Sequence, residues 1–360
     1  MLLGKKQIKS LENLTQLHAI SGQENEVAKY LITCFNKQNL EIMTDNLGSV
    51  FAIKKSKIVN ASKIMICGHM DEVGFLVIKI NSTGLLTCTP IGGISQYSLQ
   101  AHRVSMKTKR GKYIHGTISA IPPHLLDDKS KNINIEDLCF DFGFTSDKEA
   151  LRAGVYPGAM IVLDGGFEVL NNGKRLLSKA FDDRYGIALI VDVLQEIRNK
   201  EYPFDLYLGG TVQEEVGLRG AVTASNSIGP DLAIVLDCSP ARDSNGTTDD
   251  WGKLGEGVLI RYFDKSMIAF PELLAFQIDA CKQTNSKYQY FDSPGSTDAG
   301  EIHKNHDGVL TITHCICARG IHSPSSIIDV EDYLAAKRSL VYMLDHLNKE
   351  QIDKFKKERE

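Results

Sequence analysis

The sequence has no long apolar run and no export signal. Within its 360 residues there is no uninterrupted apolar stretch of the roughly eighteen residues that suggest a membrane-spanning helix. The N-terminal stretch MLLGKKQIKSLENL lacks the apolar core and the small-residue cleavage site of a secretory signal. We therefore expect a cytoplasmic protein that is not exported and has no membrane partner.

Net charge and paired cysteines are also scarce. The 41 basic and 45 acidic side chains leave a formal net charge of -4, so no broad basic field can hold a nucleic-acid backbone or an anionic membrane. The eight cysteines are scattered, and the close pair Cys315 and Cys317 has none of the usual zinc spacings. These features exclude nucleic acid as the expected partner and favour a reduced cytosolic setting.

What the sequence does contain is an alternation of helical and strand patterns. The pattern over residues 6–36 predicts helices, the second of which begins with an N-cap at Ser21 and has Glu24 three residues later. Apolar, β-rich segments at 49–55 and 63–70 are typical of strands buried in the middle of an α/β sheet. An α/β core is therefore expected.

The pattern changes between residues 72 and 164. Short alternating segments broken by turns predict a small β-rich module there, and helices and strands alternate again after it. We therefore expect a discontinuous main domain, residues 1–71 and 165–360, that carries residues 72–164 as an inserted domain. The final segment 351–360, QIDKFKKERE, is expected to be a solvated, charged tail.

Histidines and carboxylates recur where the apolar strands end. They are His69, Asp71, Asp182, Asp183, Glu214, Glu215, Asp237 and His322. In an open α/β sheet the strand ends and the loops beyond them usually form the active-site crevice. Imidazoles and carboxylates suit zinc, cobalt or manganese, and a two-metal site needs a bridging carboxylate, terminal ligands and a separate base. Because residues two apart in a strand share a face, Asp71 could accept a hydrogen bond from the non-ligating nitrogen of His69.

The segments around these residues resemble the M42 family of metallo-aminopeptidases along nearly the full length of the chain. They are GHMDEVGF, SKAFDDRYG, QEEVGLRGA, DCSP, LGEG, STDAGEIH and RGIHSP. Three stretches, LDCSPARD, LGEGVLIRYFD and CARGIHSPSSI, follow the glutamyl aminopeptidase branch. The resemblance implies a zinc-peptidase-like α/β fold: a mixed sheet flanked by helices, with an inserted small β-rich, barrel-like domain.

The resemblance also implies roles for individual residues. One divalent metal ion would be held by His69, Asp182 and Asp237 and a second by Asp182, Glu215 and His322, with Asp182 as the bridge. Zinc and cobalt are the expected metals, and manganese is possible. Glu214 would be the general base that takes a proton from the attacking water and passes it to the departing amine. The implied activity is hydrolysis of the N-terminal residue of short peptides.

Arg261 is the candidate for substrate specificity. A glutamyl or aspartyl side chain needs a cationic partner, because burial of an unpaired carboxylate is costly. Arg261, in LIRYFD, matches a basic position of the glutamyl branch, and a guanidinium can hold a carboxylate with two hydrogen bonds. A surface or structural arginine is the competing interpretation. The resemblance further implies self-association: dimers formed through the inserted domain and assembled into a tetrahedral dodecamer.

Four positions depart from the broad pattern of the family, and other functions stay open. Asp183 stands where asparagine is common, Gly320 replaces a frequent tyrosine, Ser296 stands where glycine is usual, and Ser326 stands where many members have an acid. None of these changes removes an implied ligand. The alternatives are an aminopeptidase of broader or different specificity, an endoglucanase-like glycoside hydrolase, which would leave two histidines unexplained, and a non-catalytic shell or binding protein.

Overall fold

The main body is a six-stranded mixed sheet. The computed structural model describes residues 2–120, 135–245 and 252–357. In spatial order the strands are β1 (Glu41–Thr44), β2 (Val50–Lys54), β12 (Phe204–Thr211), β3 (Ser62–His69), β13 (Leu232–Val235) and β17 (Leu310–Thr313). The last four run parallel to one another, whereas β2 is antiparallel to β12 and β1 is antiparallel to β2.

Helices cover both faces of this sheet. They are α1 (Lys5–Gln16), α2 (Asn25–Asn36), α4 (Phe181–Glu196), α5 (Arg219–Ile228), α6 (Pro271–Gln283), α7 (Ala299–Ile302), α8 (Val330–His346) and α9 (Lys349–Lys357). Alternate residues of β3 enter different cores: Ile64 and Ile66 pack with α1, α2, α4 and α8, whereas Met65 and Cys67 pack with α5 and α7. A strand buried on both faces explains the continuous apolar run that predicts β3.

A closed six-stranded barrel lies between β3 and α4 in the chain. Around the barrel its strands are β4 (Gly74–Ile80), β5 (Leu86–Ile91), β8 (Cys139–Asp141), β7 (Tyr113–Ile118), β6 (Arg103–Lys107) and β9 (Met160–Leu163), with the short helix α3 (Asp147–Ala153) before β9. The barrel has its own core, in which Phe75 and Phe140 meet edge to face with ring centroids 4.8 Å apart. The predicted fold class, a helix-flanked mixed sheet with a small β-rich barrel, is confirmed. Residues 121–134 of the predicted insertion lie outside the described residues.

Three small sheets complete the main body. They are formed by β10 (Glu168–Leu170), β11 (Arg175–Ser178) and β19 (Ser326–Asp329), by β14 (Cys238–Pro240) and β18 (Ile316–Ala318), and by β15 (Val258–Asp264) and β16 (Tyr288–Ser293). Strand β14 follows Asp237, and the strands β18 and β19 flank the loop that carries His322. These strands therefore hold the backbone on which Asp237 and His322 lie.

Two local expectations are wrong. Helix α2 begins at Asn25, so Ser21 lies outside it, and the Ser21 hydroxyl donates to Asp71 instead of capping the helix. The segment predicted as a solvated tail is helical as far as Lys357, where α9 ends. Its buried Phe355 packs on the ring of Phe276 of α6, with centroids 5.7 Å apart.

Two expectations from the composition concern membrane-spanning helices and the close pair Cys315 and Cys317. Among the described residues, no helix combines the length and the apolar character needed to cross a membrane. Cys315 and Cys317 are free, buried thiols that pack in an apolar cluster with Leu259 and Phe291. Their burial in that cluster fits a packing role for both thiols.

Candidate metal centre

The candidate ligands from the sheet lie at the carboxyl ends of its parallel strands. His69 is the last residue of β3 and pairs in register with Thr211, the last residue of β12. Glu214 and Glu215 follow shortly after Thr211, and Asp237 follows β13. Adjacent parallel strands end at the same edge of the sheet, so the topology itself brings these side chains together.

Two further candidates come from outside the sheet. Asp182 lies in the non-helical first turn of α4 (φ −83°, ψ 107°), and His322 lies in the loop between β18 and β19 at a left-handed φ of 55°. Gly320 precedes it with φ 64°, and a Cβ at that glycine would lie 2.8 Å from the Ser325 carbonyl oxygen. The tyrosine that is frequent at this position would therefore be strained in this loop.

Asp182 contacts both histidines with different oxygens. Its Oδ1 lies 3.0 Å from His69 Nε2, and its Oδ2 lies 3.2 Å from His322 Nε2. The other contacts of His69 Nε2 are Asp237 Oδ1 at 3.9 Å and Glu214 Oε2 at 4.0 Å. His322 Nε2 lies 3.3 Å from Glu215 Oε2. The structure therefore brings together all five predicted ligands and the predicted base.

These side chains fit divalent cations. Three overlapping groups have ligand atoms within 4.8 Å of one another: His69, Asp182 and Asp237; Asp182, Glu215 and His322; and His69, Glu214 and Glu215. Ligands bound at about 2.0–2.2 Å to one zinc ion have comparable spacings. Within the described part of the chain, Glu215 Oε1 is buried without a hydrogen-bond partner, and burial raises the pKa of this carboxyl to about 7. A divalent cation would partner that oxygen and offset the cost of crowding carboxylates away from water.

The carboxylate of Asp71 supports several groups at once. The Nδ1 atom of His69 lies 3.1 Å from the main-chain carbonyl oxygen of Asp71 and 3.5 Å from its carboxylate Oδ1. The carboxylate itself accepts from the amides of Glu214 and Glu215, each at 3.1 Å, and from the Ser21 hydroxyl at 2.6 Å. Asp71 thus lies beside His69 as the prediction requires, but its side chain is mainly bonded to the neighbouring loop.

Asp183, which stands where asparagine is common in the family, is fully buried. Its Oδ2 accepts from the His69 amide at 3.1 Å and its Oδ1 accepts from the Gly186 amide at 3.0 Å. Burial, followed by the charge of Asp237, raises its pKa. A Cβ on Gly68 or Gly186 would lie 2.3 or 2.4 Å from Asp183 Oδ2, so both glycines make room for this carboxyl group. Asp183 therefore anchors the backbone of the candidate ligand His69.

A pocket of about 380 Å³ opens beside the cluster. Glu214 and every candidate ligand except His69 line it, together with Cys238, Pro240, Arg261, Ser293, Pro294, Gly295, Ser296 and Ile321. Arg261 is 3% exposed, its Nη2 lies 3.0 Å from Asp264 Oδ2, and its Nη1 donates to Ser239 Oγ at 3.2 Å. Its Nε has no hydrogen-bond partner among the described residues. Arg261 is therefore not a surface arginine, and it retains a buried donor beside the pocket.

Two of the positions that depart from the family pattern lie near this pocket or near the loop that carries His322. Ser296 lines the pocket. Ser326 is buried and donates to the Arg319 carbonyl oxygen at 3.0 Å, so its hydroxyl holds the two ends of the His322 loop together. Neither serine occupies the position of a candidate ligand.

A buried ion network behind the site has no counterpart in the sequence-based prediction. Arg184 donates to the carbonyl oxygens of Leu14, Leu17, Ala19 and Met70, and Glu72 accepts from both Arg184 and Lys179. Most of the acceptors of Arg184 are main-chain atoms distant in sequence. The available signal for this network was the presence of charged residues beside apolar segments. A charge that is buried there needs hydrogen-bond or ion-pair partners.

Asp298 is a second residue that the prediction missed. It is buried and accepts a hydrogen bond from the Thr211 hydroxyl, while its Oδ1 has no hydrogen-bond partner in the residues that the structure describes. Burial raises its pKa to about 6. The STDAG segment in which Asp298 lies carried part of the family resemblance, so it offered a signal for this residue.

Comparisons with known proteins agree with the fold and identify the family. A family model described as M42 glutamyl aminopeptidase matches residues 48–338. The glutamyl aminopeptidase of Lactococcus lactis subsp. cremoris (strain MG1363) is 37% identical over 346 residues, which are 95% of this chain and 97% of that protein. The crystal structure of a TET aminopeptidase from the marine sediment archaeon Thaumarchaeota archaeon SCGC AB-539-E09 has a TM-score of 0.93 at 34% identity, covering 98% of this chain and 100% of that one. The Pyrococcus horikoshii TET1 peptidase, described as assembling into a tetrahedron or a large octahedral shell, has a TM-score of 0.85 at 29% identity and covers 95% and 100%. The chain therefore belongs to the M42 family of aminopeptidases.

Proposed function

We propose that this protein is a two-metal aminopeptidase that removes the N-terminal residue of short peptides and prefers Glu or Asp there. The position of Asp182 carries the proposal. Its two oxygens face two different histidines, at 3.0 Å from His69 and 3.2 Å from His322. A carboxylate in this position is suited to bridge the two ions of a dinuclear site.

The ligand set divides into two sites that share Asp182. His69, Asp182 and Asp237 would hold one ion, and Asp182, Glu215 and His322 would hold the other, in agreement with two of the ligand groups above. The family is one of metallopeptidases, which use divalent metals. Nitrogen and carboxylate donors suit zinc, cobalt and manganese alike, so zinc, cobalt and manganese reconstitution of the metal-free protein would identify the active metal.

The residues of the chain position the reactants and move a proton. Divalent ions, when bound, polarise the scissile carbonyl and lower the pKa of the attacking water. Glu214, on the same turn as Glu215, accepts a proton from that water and returns it to the departing amine. Asp71 holds the amides of both glutamates, so the base and the ligand keep fixed positions relative to each other.

Two isosteric substitutions test these roles separately. Glu214→Gln should lower kcat by on the order of 10²–10⁴-fold, the usual contribution of a general base, while metal content stays near that of the wild type. Glu215→Gln should weaken metal binding itself, measured by titration calorimetry and elemental analysis. A Glu214→Gln variant that turns over at the wild-type rate with full metal content would refute the assignment of the base.

Substrate preference is assigned to Arg261, which lines the pocket beside the ligands. Its unpartnered Nε could donate to the carboxylate of a glutamyl or aspartyl side chain. Arg261→Met should lower kcat/KM for Glu-nitroanilide much more than for Leu-nitroanilide. Arg261→Lys, which keeps the charge but loses the planar fork, should have an intermediate effect. An unchanged preference for Glu in Arg261→Met would assign Arg261 to structure alone.

Self-association is assigned to residues 72–164 as a dimerisation domain inserted between 1–71 and 165–360. The barrel strands lie between residues 74 and 163, have their own core, and belong to a domain that exposes Ile78, Tyr97 and Leu151 to solvent. Exposed apolar side chains on such a module are suited to contact a second copy. Light scattering after size exclusion should give about twelve times the 39.8 kDa of one chain for a dodecamer, whereas a monomer would refute this proposal.

A further inference from the structure

We propose that Glu24 is a positioning residue that holds the turn bearing Glu214, an inference that rests on the proposed role of Glu214 as general base. Glu24 belongs to the Ser21–Glu24 segment, whose pattern predicts a helix cap. The segment instead lies against the loop that begins after β12. Two of its polar side chains, Ser21 and Glu24, take part in the support of that loop.

Glu24 bonds directly to the residue before Glu214. Its Oε1 accepts from the Gln213 amide at 3.1 Å and from the Gly22 amide at 2.6 Å, and the side chain is 5% exposed. Gln213 has a left-handed φ of 56°, a conformation that is unfavourable for a residue with a side chain. The hydrogen bond from Gln213 to Glu24 therefore stabilises the backbone at the point where the chain turns toward Glu214.

Glu24 and Asp71 act on consecutive amides. Glu24 accepts from the amide of Gln213, and the two oxygens of Asp71 accept from the amides of Glu214 and Glu215. Two buried carboxylates from different parts of the chain thus fix three successive residues. Asp71 would still hold the following two amides if Glu24 were removed, so the effect of the removal should be greatest at Gln213 and Glu214.

A simple capping role does not account for these contacts. Glu24 is the N-cap residue of α2, but its side chain makes no capping hydrogen bond to the amides of that helix. The Gly22 and Gln213 amides, which donate to the side chain, belong to residues outside α2. Glu24 also does not line the pocket beside Arg261. Its loss should therefore reduce turnover more than substrate binding.

Three substitutions separate the acceptor position of Glu24 from its charge. Glu24→Gln keeps an oxygen at the same reach without the charge, Glu24→Asp keeps the charge but shortens the side chain, and Glu24→Ala removes both. Ser146→Ala is the matched control, because Ser146 caps α3 in the barrel through the Glu149 amide, far from this loop in sequence. All four variants would be compared with the full-length wild type, loaded with the same metal.

Amide hydrogen exchange and steady-state kinetics provide independent measurements. In Glu24→Ala and Glu24→Asp, exchange in a peptide covering residues 211–220 should accelerate roughly fivefold, which corresponds to the loss of one ordinary hydrogen bond. The kcat should fall by on the order of ten- to a hundredfold, with KM and metal content nearly unchanged, because the base is displaced while the pocket is intact. Glu24→Gln should retain most of the wild-type protection and kcat.

The proposal is overturned if Glu24→Ala matches Ser146→Ala in exchange and in kcat, or if Glu24→Gln fails as severely as Glu24→Ala. It is likewise overturned if KM rises while kcat stays constant. If Glu24→Ala does not fold, the order of Glu24→Gln and Glu24→Asp decides the matter. If the wild-type protein has no peptidase activity but amide exchange in the Glu24 variants follows the expected order, the proposed function is refuted. The positioning of the turn by Glu24 would still hold.

Discussion

Replacement of Arg184 by methionine should destabilise the protein by about 3–5 kcal/mol, the cost of breaking a buried ion pair by removal of one partner. Arg184 is fully buried. Its guanidinium donates to four main-chain carbonyl oxygens, the shortest contact being 2.8 Å to Leu14, and it lies 3.1 Å from Glu72 Oε1. Methionine preserves much of the apolar stem but satisfies none of these acceptors. Glu72 keeps its 2.6 Å contact with Lys179, so we do not expect a larger loss.

Thermal unfolding tests this loss of stability, with the partly exposed Arg338 as the control arginine. Arg338 pairs with Glu331 at 2.7 Å, but these side chains are 30% and 39% exposed, so Arg338→Met should cost no more than about 1 kcal/mol. For a chain of 360 residues, an unfolding entropy of about 2.1 cal/mol/K per residue converts 4 kcal/mol into a Tm shift of about 5 °C. The control should shift Tm by about 1 °C or less.

The comparison requires equal protein concentration and equal metal loading, because bound ligands and self-association raise apparent stability. Arg184→Lys should lie between the two variants, since it keeps a cation near Glu72 but cannot reach four carbonyl groups. A Tm for Arg184→Met within about 1 °C of that for Arg338→Met would refute the estimate. The buried guanidinium would then contribute no more than an exposed one.

Three other perturbations test the core and the site. Burial lowers the pKa of His314 to about 4, below the value of about 6.5 in the unfolded chain. The unfolded state therefore binds protons more readily between these pH values, and the free energy of unfolding should fall by about 2–3 kcal/mol from pH 7 to pH 4.5. His314→Gln should reduce this loss, measured by urea denaturation. Chelation of bound metal should abolish turnover and lower Tm. Saturation with metal at about 1,000 times Kd should restore about 4 kcal/mol of the free energy of unfolding. An unchanged Tm and activity after chelation would contradict this. Gly186→Ala should weaken metal affinity by displacing Asp183, whereas Gly166→Ala, with nothing within 4 Å of its added Cβ, should leave the affinity unchanged.

The sequence was most informative about the candidate ligands at the strand ends. Each apolar run reports where a buried strand stops, and parallel strands end at one edge of the sheet. The positions of His69 and Asp237 therefore follow from local patterns together with a general rule of topology. Asp182 and His322 lie outside the sheet, and it was the family resemblance that joined them to the same site.

The partners of the supporting side chains could not be predicted, because most of them are main-chain groups that carry no sequence signature. Arg184 lies in a helical pattern, and most of its partners are carbonyl oxygens that every residue possesses. Glu24 was misassigned for a related reason: a carboxylate near a helix start can accept either from the helix or from another loop. Helix α9 was mispredicted for a different reason. Its buried Phe355 is surrounded in sequence by charged residues, which are typical of a solvated segment.

The adjacent pair of Glu214 and Glu215 shows why this supporting layer matters. Like charges on neighbouring residues repel, but Glu214 Oε2 lies 4.0 Å from His69 Nε2 and Glu215 Oε2 lies 3.3 Å from His322 Nε2. The two carboxylates therefore face different imidazoles. Because the residues are consecutive, a rotation of the turn would move both side chains together and could not correct one without displacing the other. Separate roles for the two glutamates thus depend on a fixed backbone, which the carboxylate of Asp71 holds at both amides.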